Sequence, residues 1–145
     1  MGKELAFKGK NIQLELRVDN ARETFSFIDL ACKNCASNGK DILIEYKSGA
    51  GSITKETIKK QFIERDLFTA NSLEEIQWRL KNTTLTKDKL VGWLTDNKSS
   101  IEKLGYEKIN KLFGKNFDDF TPSNELSQAS IDYFANINNY NKIFK

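Results

Sequence analysis

The chain has 145 residues, 39% of them apolar and 30% charged, with a formal charge of +3. That length and balance suit one soluble domain, residues 1–145, with a real hydrophobic core, and exclude a disordered chain or, for want of an apolar run near ~18 residues, a membrane-spanning one. The chain contains no histidine, which removes the commonest general base and metal ligand, and with it Ser-His-Asp hydrolysis and His-anchored metal nucleases.

Hydrolytic chemistry in such a chain has to rest on carboxylates, lysine and a hard metal ion. The mild positive charge permits nucleic-acid binding without requiring it. The opening residues Met1–Lys10 carry no signal-peptide core.

Residues 1–10 read as a polar, frayed lead-in. Ile12-Gln-Leu-Glu-Leu-Arg-Val18 alternates strictly and predicts a half-buried strand with Gln13, Glu15 and Arg17 on its polar face. Asp19 and Asn20 mark a turn or short crossover. Phe25-Ser-Phe-Ile-Asp-Leu30 predicts a second strand, with Asp29 on the face of Phe25 and Phe27. Ala31 to Asp41 reads as a loop containing Asn38-Gly39, a strong hairpin signal. Within it Cys32-Lys-Asn-Cys35 is half a zinc motif with no second half. Two idle thiols is the expectation, with a reversible disulfide as the alternative.

Ile42-Leu-Ile-Glu-Tyr-Lys-Ser48 predicts a third strand, stopped by Gly49-Ala-Gly51. Alternation places Leu43, Glu45 and Lys47 on one face and Ile42, Ile44 and Tyr46 on the other. A carboxylate and an ammonium thus share the end of an apolar strand, where desolvation is costly unless both are paired or in use.

Thr54 caps a predicted helix whose Ile58, Phe62, Ile63 and Leu67 fall at helical spacing, with Gln61, Arg65 and Asp66 on neighbouring faces. Ser72–Glu75 predicts a short turn before a fourth strand, Ile76-Gln-Trp-Arg-Leu80, with a capping box at Ser72–Glu75 opening a helix over Leu73–Leu80 as the alternative. Thr86 caps a helix through Leu90 and Leu94. Asn97–Ser100 reads as a break, Ile101–Phe113 as an amphipathic helix, residues 114–127 as a loop, and Ser130–Tyr140 as a last helix. Strands first and helices afterwards predict an α+β fold: a central mixed sheet with flanking helices and a helical C-terminal part.

Asp29, Glu45 and Lys47 form the pattern D-x15-E-x-K across the Asn-Gly turn. Two carboxylates on adjacent strands suit Mg2+ or Mn2+, and a lysine beside them can orient water or hold a phosphate. This pattern resembles the PD-(D/E)XK superfamily, the restriction-endonuclease fold, over residues 12–80. Asp29 matches the first acid, Glu45 the second and Lys47 the lysine, while Ile28 stands where the motif's name has proline. The resemblance implies that Asp29 and Glu45 bind metal, that Glu15 is an extra ligand with Glu23 as its fallback, and that a polar residue on the following helix, Gln61 or Arg65, supports the site.

The stretches I-E-Y-K-S-G, Q-F-I-E-R-D-L and I-Q-W-R resemble the restriction-endonuclease-fold toxin domains of bacterial polymorphic and contact-dependent inhibition systems. That resemblance implies the terminal piece of a larger secreted effector, active in the target-cell cytoplasm and neutralised by a cognate immunity protein. The expected substrate is DNA, with tRNA as the alternative, cut by a monomer or transient dimer that needs no membrane. The bland readings are a charged sheet face on a non-enzymatic α+β protein-binding module, and a solvated helix face for Gln61, Arg65 and Asp66. Lys55, Lys59 and Lys60 read as solvated helix lysines as readily as phosphate contacts. Trp78 and Trp93, with Tyr46, read as core.

Overall fold

The computed structural model describes residues 11–19 and 25–145, with side chains from Leu30 onward. The predicted lead-in, the Asp19–Glu23 connection from Asn20 onward, and Glu23 as a fallback ligand lie outside the described residues. The fold is α+β. Four strands, β1 (Asn11–Asp19), β2 (Phe25–Lys33), β3 (Ile42–Ser48) and β4 (Ile76–Lys81), form a mixed sheet in the order β1-β2-β3-β4. The first two pairings are antiparallel and β3 pairs with β4 in parallel. A parallel neighbour requires a crossover. Here it is one long helix, α1, in which an α-helical turn (Lys55–Thr57) runs directly into π-helical turns (Ile58–Leu67).

Each connection has a local cause. Gly39 sits at φ +82°, which the turn between β2 and β3 requires, and Asn38 Oδ1 accepts from the Lys40 amide at 3.0 Å. Gly49 ends β3 at φ +98°, and its amide donates to the Lys81 carbonyl at 3.0 Å, tying the glycine loop to the end of β4. Thr54 caps α1 by accepting from the Thr57 amide, and Thr57 returns a bond to the Thr54 amide. The predicted turn at Ser72–Glu75 is a 3-10 turn, Leu73–Glu75, leading straight into β4.

Behind α1 lies a layer of five helices: α2 (Lys87–Asp96), α3 (Lys98–Glu102), α4 (Tyr106–Phe113), α5 (Ser123–Ala135) and α6 (Ile137–Ile143). The main core fills the space between this layer and the sheet. Phe62 from α1 meets Trp78, Phe134 and Phe144 at ring-centroid distances of 6.0, 5.5 and 5.2 Å. Ile58, Ile63, Leu67, Leu90, Leu94 and Ile101 close around it, all fully buried. A second, small cluster of Leu30, Cys32 and Ile44 covers the other face of the sheet. After α6 the chain returns to the sheet: Phe144 bridges Trp78, and the Lys145 amide donates to the Trp78 carbonyl at 2.8 Å. No helix among the described residues is long and apolar enough to cross a membrane.

Several boundaries differ from the sequence reading. β2 runs on through Lys33, because its pairing extends to Lys33 with β1 and to Cys32 with β3. Cys32 and Cys35 are not idle thiols but form a disulfide across the turn that ends β2. The predicted break at Asn97–Ser100 narrows to Asn97, whose φ of −110° and ψ of 27° separate α2 from α3. Lys98–Ser100 are already helical, and a further break falls at Gly105, whose φ of +87° no helix accommodates. Pro122 ends the predicted loop early by preceding the first turn of α5, where its missing amide costs nothing. Asn136, extended at φ −85° and ψ 121°, splits the predicted last helix, and its side chain caps α6. Tyr46 is half-buried rather than core, Trp93 is half-buried but packs against the main core, and Trp78 is fully buried as expected.

Candidate active site

The sheet register aligns the predicted acids. Leu14 pairs with Leu30 and Leu16 with Ile28, so position 15 falls across from position 29. Leu30 pairs with Ile44 and Ala31 with Leu43, so the same register carried one step further sets position 29 across from position 45. Glu45 in turn neighbours Trp78. Positions 15, 29, 45 and 78 therefore form one row across four strands. Opposite positions of paired strands share a sheet face, and the β2–β3 pairing itself ends at Leu30 and Ile44. The side chains of Glu15 and Asp29 lie outside the described residues; those of Glu45 and Lys47 are described in full.

Glu45 is 6% exposed. Its Oε1 accepts from Arg65 Nη2 at 2.8 Å, and its Oε2 lies 3.2 Å from Lys47 Nζ. Arg65 also reaches its chain neighbour, with Nε donating to Asp66 Oδ1 at 2.8 Å. Asp66 Oδ2 accepts from Trp78 Nε1 at 2.7 Å. The Lys47 ammonium sits over the Trp78 ring, 5.9 Å from its centroid, within cation–π range. The result is a continuous polar chain, Lys47–Glu45–Arg65–Asp66–Trp78, between the sheet and α1.

Two structural features bring this about. Strand alternation turns Glu45 and Lys47 toward α1, while Ile44 faces the small cluster behind the sheet. On the helix, the wide i→i+5 turns leave six consecutive residues, Phe62 to Leu67, buried between the sheet and the helical layer. Glu64 points to the helical layer, where Ser100 Oγ donates to it at 3.5 Å, while Arg65 and Asp66 meet the sheet. The solvated-face reading of Arg65 and Asp66 is thus wrong: they are 2% and 3% exposed.

The electrostatics follow from that burial. Desolvation drives the Asp66 carboxyl upward and outweighs the Arg65 charge, the hydrogen bonds from Arg65 and Trp78, and the Lys47 charge. For Arg65 desolvation acts downward, but the charges and hydrogen bonds of Asp66 and then Glu45 overcome it, so the guanidinium is raised and stays charged.

Gln61 lies one helical turn before Arg65, toward the N-terminal end of α1. That end is joined to the Gly49–Gly51 loop through Ser52–Thr54. The Gln61 side-chain oxygen Oε1 is buried and has no hydrogen-bond partner among the described residues. A buried acceptor without a donor is uncommon and costly.

Glu45, Lys47 and Arg65, three residues the sequence reading singled out, come together here, while Asp66 and Trp78 were missed as parts of the group and no contact ties Gln61 to it. A signal was present: a buried indole needs an acceptor, and Asp66 is the acid of a helix that must cross back over the Trp78 strand. Lys55 and Lys60 pair with Asp96 and Glu56 at the surface, as solvated lysines do.

The donor set is chemically uniform. Carboxylates at positions 15, 29 and 45 would offer hard oxygen donors, the kind that suit Mg2+ or Mn2+ and not a thiolate-seeking ion. Among the described residues alone, no group of three or more His, Cys, Asp or Glu side chains is placed to hold a metal, so such a site depends on Glu15 and Asp29. No protein-family model, curated protein or solved structure matches the chain.

Proposed function

We propose that the chain is a metal-dependent nuclease of the restriction-endonuclease type that hydrolyses phosphodiester bonds, with DNA as the favoured substrate and tRNA as the alternative. The observation that carries this reading is the row of acidic positions 15, 29 and 45 on one sheet face, with Lys47 two residues along and paired to Glu45. Glu45, Asp29 and Glu15 hold the metal. When bound, Mg2+ supplies Lewis acidity at the scissile phosphate and lowers the pKa of a coordinated water. Arg65 fixes the Glu45 carboxylate, and Asp66 and Trp78 fix Arg65. Lys47 Nζ holds a phosphate oxygen or orients the attacking water. The Gln61 oxygen accepts a hydrogen bond from that water.

The toxin resemblance adds a setting to this chemistry: release as part of a larger secreted effector, action in the target-cell cytoplasm, and control by an immunity protein. The competing reading, a non-enzymatic protein-binding module, draws on the fact that Glu45, Arg65 and Asp66 satisfy one another.

One experiment separates the two. The purified chain is incubated with plasmid DNA and with total tRNA, with Mg2+ or Mn2+ and with chelator. Metal-dependent cleavage that Asp29→Ala abolishes, with circular dichroism unchanged, supports the nuclease. A parent protein that cuts neither substrate with either metal supports the binding module.

A further inference from the structure

Among the described residues two cations hold Glu45, and they are held very differently. Arg65 is a planar fork, 3% exposed as a side chain, with one arm on Glu45 and the other on Asp66, both at 2.8 Å. Asp66 is itself anchored by the Trp78 indole. No rotation of Arg65 can release Glu45 without also stripping Asp66 of its guanidinium. Lys47 makes a single 3.2 Å contact to the other carboxylate oxygen and is 16% exposed. Its charge is a compact ammonium on a flexible stem. The Trp78 ring beneath it offers a resting place that survives a small swing away from Glu45.

Resting on the nuclease reading, we propose that Lys47 is the resident counter-ion of this site: its ammonium occupies the place on Glu45 Oε2 that a divalent cation takes. Loading the site and freeing Lys47 for the substrate phosphate are then one event. An ammonium and a dication repel each other on one carboxylate oxygen, so one of the two must leave, and the geometry selects Lys47 over Arg65. The metal-free protein thereby keeps a buried carboxylate neutralised, which an empty acidic site would not.

The test is Mn2+ binding to the intact, chelator-stripped chain, followed by electron paramagnetic resonance. Lys47→Met keeps the length of the side chain and removes its charge. It should bind Mn2+ roughly three- to thirtyfold more tightly than the parent, the range expected for losing a partly buried competing ion pair, while cutting nucleic acid far less. Glu45→Gln should bind none. Equal or weaker binding by Lys47→Met overturns the exchange and leaves the nuclease reading intact. A parent and a Lys47→Met variant that both take up no Mn2+ at millimolar concentrations overturn the exchange together with the metal reading. A second measurement needs no substitution: acetylation of the parent by an amine reagent, read by mass spectrometry. Adding Mg2+ should raise modification of Lys47 relative to Lys60, whose Glu56 partner is at the surface. An unchanged ratio also overturns the proposal.

Discussion

Helix α1 has two buried flanks that solve opposite problems. One flank, Ile58, Phe62, Ile63 and Leu67, enters the main core, where each side chain gains from leaving water. The other flank carries Arg65 and Asp66 against the sheet, both ionisable and all but sealed from solvent. Well-packed apolar residues of similar volume hold such a position as well as a buried ion chain does, or better. The same helix thus shows that the apolar solution was open to it and was not used on the sheet side. The contrast assigns stability to the Phe62 flank and function to the Arg65 flank, and each assignment can be broken.

The sharpest break is at Glu45. Glu45→Ala should lower metal-dependent cleavage of plasmid DNA or tRNA roughly a thousandfold, the scale of removing a group that fixes charge at a reacting phosphate. Arg65 keeps its Asp66 partner in this variant, so cooperative unfolding should persist. A Glu45→Ala variant that cleaves as well as the parent removes Glu45 from the chemistry. One that fails to fold moves the whole polar chain to the structural side of the comparison.

Phe62→Ala should do the reverse. Phe62 contacts three other rings at its centre of the core. Its removal should cost about 3–5 kcal/mol of unfolding free energy, read from urea titration. Cleavage measured where the variant remains folded should fall little. A loss of cleavage larger than the loss of folded protein would show that the two flanks are coupled through α1.

These two flanks were not equally legible in the sequence. The apolar one follows from spacing alone, since Ile58, Phe62, Ile63 and Leu67 repeat at helical intervals and no other periodicity fits. The sheet was legible for the same reason: alternation placed Glu45 and Lys47 on one face, and the Asn38-Gly39 turn fixed β2 against β3. The burial of Arg65 and Asp66 was not legible. Adjacent charged residues on a helix are ordinarily solvated, and only the combination of a π-helical segment, a second layer of helices and the crossover from β3 to β4 seals both sides. Helix ends in the C-terminal half failed in a different way. Gly105, Pro122 and Asn136 set them, and each acts within one or two residues, below the resolution of a hydrophobic repeat. The disulfide depends on the distance between Cys32 and Cys35 at a turn, which spacing alone leaves open.

A milder perturbation tests the join between the flanks. Arg65→Lys preserves the charge but loses the fork that grips Glu45 and Asp66 together. Cleavage should fall about ten- to a hundredfold, the range for loss of a residue that orients a ligand without touching substrate. Unfolding free energy should fall only about 1–3 kcal/mol, for the bond left unmade. Raising Mn2+ concentration should recover part of the activity of this variant, because the misplaced Glu45 weakens metal capture. A purely structural role for Arg65 predicts no such recovery.

The smallest effect lies on the apolar side and separates it from the polar side by pH. Tyr140 of α6 is stacked on Phe144 at 5.0 Å, and burial pushes its hydroxyl up to about 12. In the unfolded chain tyrosine ionises near 10. The folded state therefore holds a proton that the unfolded state has lost between these two values. Stability from this group is complete below pH 10 and declines as pH rises toward about 12. Tyr140→Phe removes the titrating hydroxyl and keeps the stacked ring. Its unfolding free energy should decline less steeply than the parent's over that alkaline window, as read by urea titration at stepped pH. Below it the two proteins should run parallel. Cleavage near neutral pH should not differ between them, because no part of the Glu45 chain touches Tyr140. Equal alkaline slopes would mean that the Tyr140 hydroxyl is as free in the folded protein as in the unfolded one.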